Sequence, residues 1–411
     1  MNNTFKLTTA ASLAALGTAL AGPDPVVEPV TPPANGDWCT SLKDFGKFYK
    51  NDNDPFIQEL KFFGRLHLQY ANVNGDDING DSFSEDFDTV RRFRLGTKIK
   101  FFNHFTLTAR ANVVSDSRHT GGVRDFDYQD WDEFKVSYSR KNVAGFDKVK
   151  VTYGRHKIGV GEEARMSSKK IKTVERTALS NKIFNNRYTG LLLSAEKGGW
   201  NGTIGFLSLD SSGGLGKWDQ GHAIYLLSEH ELSNGTLSFD LFYNLDTDRP
   251  AGTTGYDEVG VGYKWAATAS YVTDIGNWNL LTQVIYGDNG STTYAGANRD
   301  GSFYGLIITP STYIIEDKLE FVARYAYQGS SEDQGIRVNS RYTRANHGGA
   351  VNGGRGDAHH SIYAGLNWYL CDHYSKFMFG IEYDMLDTPN AGGTDDDVDA
   401  TTLWAAYRMY F

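Results

Sequence analysis

Sixteen stretches of this chain alternate apolar and polar residues at a period of two, and the segments between them are short and long in strict turn. The clearest stretch is 88–102. Arg91, Phe93, Leu95, Thr97, Ile99 and Phe101 form one face, and Arg92, Arg94, Gly96, Lys98 and Lys100 form the other. Successive side chains of a strand point to opposite faces, so each set would lie on its own side of a sheet. The next run, 104–115, sets Phe105, Leu107, Ala109, Ala111 and Val113 against Thr106, Thr108, Arg110 and Asn112. Comparable runs occupy 62–74, 129–141, 146–157, 187–197, 200–209, 221–231, 235–246, 256–273, 277–287, 302–309, 318–329, 359–371, 374–386 and 399–411.

Asn103, 142–145, 198–199, 232–234, 274–276, 310–317 and 372–373 are short connections. The long ones are 75–87, 116–128, 158–186, 210–220, 247–255, 288–301, 330–358 and 387–398. An antiparallel up-and-down sheet carries all its odd connections on one edge and all its even ones on the other. Sorting by length, with an even strand count, predicts a sixteen-stranded antiparallel transmembrane β-barrel of the bacterial outer membrane, with short periplasmic turns and long external loops. Composition agrees. The chain holds 45 Gly, 24 Tyr, 24 Phe and 8 Trp, and five of its 9 Pro fall between Pro23 and Pro33. Mean hydropathy is −0.45. No uncharged apolar run reaches the roughly 18 residues of a membrane helix. The last run places Leu403, Ala405, Tyr407, Met409 and Phe411 on one apolar face, an ending that outer-membrane barrels use for assembly.

Lys6 followed by an apolar stretch ending Ala19-Leu20-Ala21 reads as a signal peptide cleaved after Ala21. Residues 22–57 then form a Pro-rich linker and a short periplasmic segment, and 58–411 form the barrel. The topology places Cys39 before the first strand and Cys371 at a short turn, both at the periplasmic edge. In an oxidising compartment the two are expected to form a disulfide; the alternative is two unrelated thiols.

With apolar faces in lipid, the opposite faces line the lumen. They carry Arg65, His67, Arg92, Arg94, Lys98, Lys100, Arg110, Lys135, Lys148, Lys150, Arg324 and Arg408, with Asp240, Glu320, Glu382 and Asp384 among the acids. Residues 88–200 hold 23 Lys and Arg against 12 Asp and Glu, although the whole chain carries −9. One arc of the wall is therefore basic, and a low-dielectric channel of one sign enriches its counter-ions. Arginine suits transient contact with phosphate or carboxylate. The competing reading pairs these arginines with lumenal acids as wall braces. The 158–186 connection carries Arg165, Lys169, Lys170, Lys172 and Arg176 and would narrow the pore if folded inward; otherwise it is a solvated external loop.

The chain resembles the phosphate-selective porin O and P family. Phe63-Gly-Arg-Leu-His-Leu-Gln-Tyr70, Val90-Arg-Arg-Phe-Arg-Leu-Gly96, Tyr153-Gly-Arg-His-Lys157, Ser167 to Arg176 and the terminal Phe411 carry the resemblance. It implies a homotrimer of separately conducting barrels with a lumenal arginine ladder. The ladder role falls on Arg65, Arg92, Arg94 and Arg110, and the constriction role on the loop around Lys169 and Arg176. Two departures bear on phosphate selectivity. Ile158-Gly-Val-Gly-Glu-Glu163 stands where the family often has Pro, and the external loops are acidic.

Asp77-Ile-Asn-Gly-Asp81 approaches a calcium loop but fails at its turn residue and reads as a solvated loop. His359 and His360 face opposite sides of a strand and do not chelate. Neither a metal, a cofactor nor a nucleic-acid partner is expected, and no motif of an enzyme stands out. The expected partners are outer-membrane lipid, lipopolysaccharide and small anionic solutes. The sequence therefore predicts a porin, a passive diffusion channel for small hydrophilic solutes with a preference for anions such as phosphate. A general or sugar-specific porin and a plugged or enzymatic barrel are the alternatives.

Overall fold

The alternating runs form a closed antiparallel barrel of sixteen strands. A computed structural model describes residues 37–114, 126–183, 187–210, 214–219, 221–246, 263–290, 300–338, 343, 351–389, 391–393 and 397–411. The expected signal cleavage site at Ala21 lies outside these residues. The chain divides into two units, Met1–Asp37 and Trp38–Phe411, and the second contains the barrel.

In chain order the barrel strands are β1 (Ile57–Asp76), β2 (Ser82–Phe101), β3 (Phe105–Asn112), β4 (Asp130–Val143), β5 (Phe146–Lys157), β6 (Arg187–Lys197), β7 (Trp200–Ser208) and β8 (His222–Leu232). They continue as β9 (Gly235–Asn244), β10 (Trp265–Ile275), β11 (Trp278–Asp288), β12 (Ser302–Ile315), β13 (Leu319–Ser330), β14 (Ala358–Cys371), β15 (Ser375–Asp387) and β16 (Asp397–Tyr410). Each pairs with its sequence neighbour, and β16 closes on β1 from Asp399↔Asp76 to Tyr410↔Arg65. Closure leaves no unpaired edge in the bilayer, where an unsatisfied backbone group would cost several kcal/mol. Leu191, Leu193, Ile204, Phe206, Val284, Ile362, Phe379, Ile381 and Leu403 are exposed and form the outward apolar belt.

Two connections shorten, and the run expected over 256–273 is a strand from Trp265 on, residues 256–262 lying outside the described residues. β1 and β2 extend beyond 62–74 and 88–102, so their external connection shrinks from 75–87 to residues 77–81. There Asp77 Oδ1 accepts the Asn79 and Asp81 amides, which makes a tight turn. β12 runs past 309 to Ile315, through Pro310, so the 310–317 turn shrinks to 316–318. Pro310 has no N–H, and the ladder to β13 skips from Ile308↔Tyr325 to Ser311↔Val322 with the register unchanged.

The segment before β1 fastens the barrel seam. Helix α1 (Trp38–Asp44) is followed by a short strand, Lys47–Lys50, that pairs with Glu59–Lys61 of β1. Cys39 and Cys371 are joined in a disulfide with Cα atoms 5.3 Å apart. Lys43 meets Asp372 at 2.6 Å. Phe45 packs edge-on to Phe411, with ring centroids 5.1 Å apart. Gly64 lies under the same Phe411 ring, where a Cβ would come within 2.2 Å of it.

Candidate functional site

Two β-bulges decide which charges enter the lumen. On β2, Arg92 pairs with His67 and Val90 with Leu68, leaving Arg91 as an extra residue. The alternation assigned Arg91 to the lipid face. The bulge corrects that assignment, because an inserted residue re-aims the side chains beside it. Arg91 Nε lies 2.6 Å from Glu175 Oε1 of the inward loop, and Arg92 Nη1 lies 3.3 Å from His67 Nδ1. On β4, Glu133 pairs with Arg110 and Trp131 with Ala111, leaving Asp132 extra. Asp132 and Glu133 therefore both reach the arginines of the wall. Asp132 Oδ1 lies 2.9 Å from Arg94 Nη1 and 2.6 Å from Arg187 Nη2, and its Oδ2 lies 2.5 Å from Arg110 Nη2. Glu133 binds Arg110 and Lys135, each at 2.6 Å.

Residues 158–183 of the 158–186 connection fold into the barrel, and 184–186 lie outside the described residues. Ile158, Val160, Ile171, Val174, Leu179 and Ile183 are buried. Most of them pack with Tyr225 of β8, Phe242 of β9, Leu281 and Ile285 of β11, and Phe303 and Ile307 of β12. Those strands carry large apolar side chains on their inner face among polar ones, and burying the apolar ones draws the loop across to the wall opposite the basic arc. Polar contacts fix it there. Lys376 Nζ donates to the Ile171 carbonyl at 2.9 Å, and Asn367 to that of Lys172 at 2.9 Å. Tyr263 donates to the Ile183 carbonyl at 2.9 Å. Two short helices, α2 (Glu162–Arg165) and α3 (Ala178–Ile183), lie within the loop.

Between the loop and the basic arc remains a cavity of about 220 Å³. The wall gives it Arg65, Arg92, Arg94, Arg110, Glu133, Lys157 and Arg187, and the loop gives it Arg165, Ser167, Ser168 and Arg176. Glu133 is the one acid among these lining residues. Arg65 donates to Ser168 Oγ at 2.7 Å. Among the described residues, no carboxylate lies within 4.0 Å of Arg65 or Arg92. Arg165, by contrast, is bound to Asp240 and, at 2.7 Å, to Glu162, and these carboxylates raise its pKa. Arg176 donates to the carbonyls of Glu163 at 2.8 Å and Met166 at 2.6 Å, and burial lowers it to about 10.

The remaining expected site residues lie elsewhere. Lys98 is 3.2 Å from Glu59, toward the periplasmic end of β2. Lys150 is on β5, outside the cavity. Arg324 is fully buried on the far wall, 2.5 Å from Glu382 and 3.3 Å from Glu163, so it clamps the loop. Lys172 reaches Asn279, Ser311 and Glu320 on that same side. Lys169 sits 3.0 Å from the Tyr374 ring centroid, and burial lowers it to about 8. Lys170 is exposed. Arg165 and Arg176 are thus the loop cations of that set that line the cavity.

Sequence reading missed Arg91, Asp132, Lys157 and Arg187. The bulges leave no mark in the alternation. Lys157 and Arg187 sit at strand ends, where the period gives out. The inward loop did leave a signal: 221–231, 235–246 and 277–287 carry large apolar residues on both faces, so something other than water had to cover the inner one.

A closed sixteen-stranded barrel, with an apolar outer belt and an inward loop beside a cationic passage, defines an outer-membrane channel. Residues 60–212 match the model of the family phosphate-selective porin O and P, a family to which the chain is similar over that stretch. No curated protein matches the sequence. Among solved structures, the anion-selective porin from Comamonas acidovorans is similar at 12% identity and TM-score 0.51, over 86% of this chain and 99% of that one. OprB of Pseudomonas putida is similar at 13% identity and TM-score 0.53, over 92% and 97%. OmpT of Vibrio cholerae, in its trimer form, is similar at 10% identity and TM-score 0.53, over 86% and 99%. At these identities the likeness establishes the fold.

Proposed function

We propose that this porin is a passive channel for small hydrophilic solutes with a preference for anions such as phosphate. The observation that carries the reading is the cavity between loop and arc, where Arg65 and Arg92 have no carboxylate partner among the described residues and Ser167 and Ser168 add hydroxyls. An entering phosphate would gain charge-assisted hydrogen bonds there while displacing no internal acid from these two groups. Arg94 and Arg110 are held by Asp132, so they contribute the remaining donors of their guanidinium forks. The proposed chain organisation is a signal peptide at 1–21, a periplasmic segment at 22–57 and the barrel at 58–411. Homotrimeric assembly in lipid and lipopolysaccharide is part of the same reading, supported by the trimer form of the Vibrio cholerae neighbour.

A general porin without phosphate selectivity is the second reading. It is favoured by a space of about 600 Å³ at the periplasmic ends of β5–β9, lined by Asp147, Glu162, Glu196, Glu229 and Glu231 with Lys197. Reversal potential across a KCl gradient in a planar bilayer, followed by phosphate titration, separates the readings. Anion selectivity with phosphate block supports the first, and weak or cation selectivity supports the second.

A further inference from the structure

We infer that Asp132 is a positioning residue for the anion site, holding three arginines in register with the cavity through one buried carboxylate. The inference rests on the anion reading above. Asp132 is wholly buried, with both oxygens committed to guanidinium groups. Its three partners come from three different strands: Arg94 from β2, Arg110 from β3 and Arg187 from the start of β6. All three line the cavity, whereas Asp132 itself does not.

Three guanidinium groups packed this closely repel one another and would splay apart without a shared counter-charge. A guanidinium has five N–H donors in a rigid fork, so a carboxylate that takes one or two leaves the rest aimed elsewhere. The bulge at Asp132 is what gives the hub its place. Without the extra residue, positions 132 and 133 would point to opposite sides of the sheet, and only one carboxylate could serve the lumen. The two adjacent acids thereby have separate parts. Asp132 lies among the arginines and orders them. Glu133 lines the cavity and competes with an arriving anion for Arg110.

The two roles predict opposite outcomes for the same change in charge. Phosphate block of chloride current is measured in bilayers for the wild-type barrel, Asp132→Asn and Glu133→Gln, each first shown to be folded by heat-modifiable migration. Simple charge counting makes both variants bind phosphate more tightly, since each removes a negative charge. The positioning role raises the half-blocking phosphate concentration of Asp132→Asn roughly fivefold, the scale of one lost hydrogen bond, and lowers that of Glu133→Gln. If Asp132→Asn blocks at the same or a lower concentration than wild type, the positioning role is overturned. If Asp132→Asn does not fold, the comparison passes to Asp132→Asn with Arg187→Gln against Arg187→Gln alone. Weaker block in the double variant supports the role, and equal or tighter block overturns it. A wild-type barrel that phosphate does not block overturns the anion reading itself, and this inference with it. A wild-type barrel that is blocked, beside an unaffected Asp132→Asn, overturns the positioning role alone.

Discussion

Arg91 and Arg92 are adjacent in sequence, yet both side chains reach the inside of the barrel. In a regular strand they would face opposite sides, and Arg91 would stand in lipid. The bulge at this position lets Arg91 neutralise Glu175 of the inward loop while Arg92 stays on the cavity side. One basic residue thus secures the loop, and its neighbour faces the solute. Each removal should then have its own signature.

Replacing Arg92 with Ala is expected to weaken phosphate block several-fold, because a cavity cation disappears and nothing compensates. Replacing Arg91 with Ala removes its 2.6 Å ion pair with Glu175, which also accepts from Gln69 at 3.1 Å, and so lowers the positive charge beside the passage by one. Anion selectivity should fall, and Arg91→Ala with Glu175→Gln should recover most of it. Reversal potentials of the two single variants and the double variant form a cycle that measures this coupling.

The loop is clamped to the far wall by Arg324, which lies between Glu163 of the loop and Glu382 of β15. Removing one partner of a buried ion pair typically costs about 3–5 kcal/mol, because the other charge remains unpaired. Arg324→Met should therefore free the loop before it unfolds the barrel. The expected outcome is larger and noisier single-channel conductance, with faster proteolysis within 158–186. Unchanged conductance and protease resistance would show that the apolar contacts alone hold the loop.

Lys182, at the end of α3, is buried, and burial lowers its pKa from the usual 10.5 to about 7. Its Nζ donates to Asn289 at 2.6 Å and lies 4.4 Å from the Phe303 ring centroid. Folding disfavours the ammonium, so the unfolded chain binds this proton more readily. The penalty is complete below about pH 7 and fades as pH rises toward 10.5. Lys182→Met removes the penalty. The variant should melt higher than wild type at pH 6.5 and approach it at pH 9.5, as read by heat-modifiable migration at the two values.

Reducing the Cys39–Cys371 bond, or replacing both residues with Ser, removes a staple at the β1–β16 seam. Disulfides typically contribute about 2–4 kcal/mol. The barrel should still conduct with unchanged selectivity but lose its folded migration at a lower temperature. Altered selectivity would place the staple in the conducting path.

The strand count and sidedness were legible because period-two alternation and the sorting of connection lengths are properties of the whole chain. A wrong boundary at 309 or 75 does not disturb either. The basic arc was legible for the same reason: Arg65, Arg92, Arg94 and Arg110 all obey the period. What escaped depends on single insertions in the ladder. Arg91 and Asp132 are displaced by bulges, and one extra residue looks the same in sequence as a continued strand. The roles within the loop escaped for another reason. Lys169, Lys172 and Arg176 are alike in composition. Only tertiary packing decides that Lys172 meets Glu320 while Arg176 faces the cavity.

The most direct measurement is the reversal potential of the wild-type barrel and of Arg65→Ala with Arg92→Ala, across the same KCl gradient. The predicted result is a chloride-selective potential in the wild type that moves toward zero or reverses in the double variant. A cation-selective wild type, or a double variant with an unchanged potential, would contradict the claim that the cavity between loop and arc sets the passage of ions.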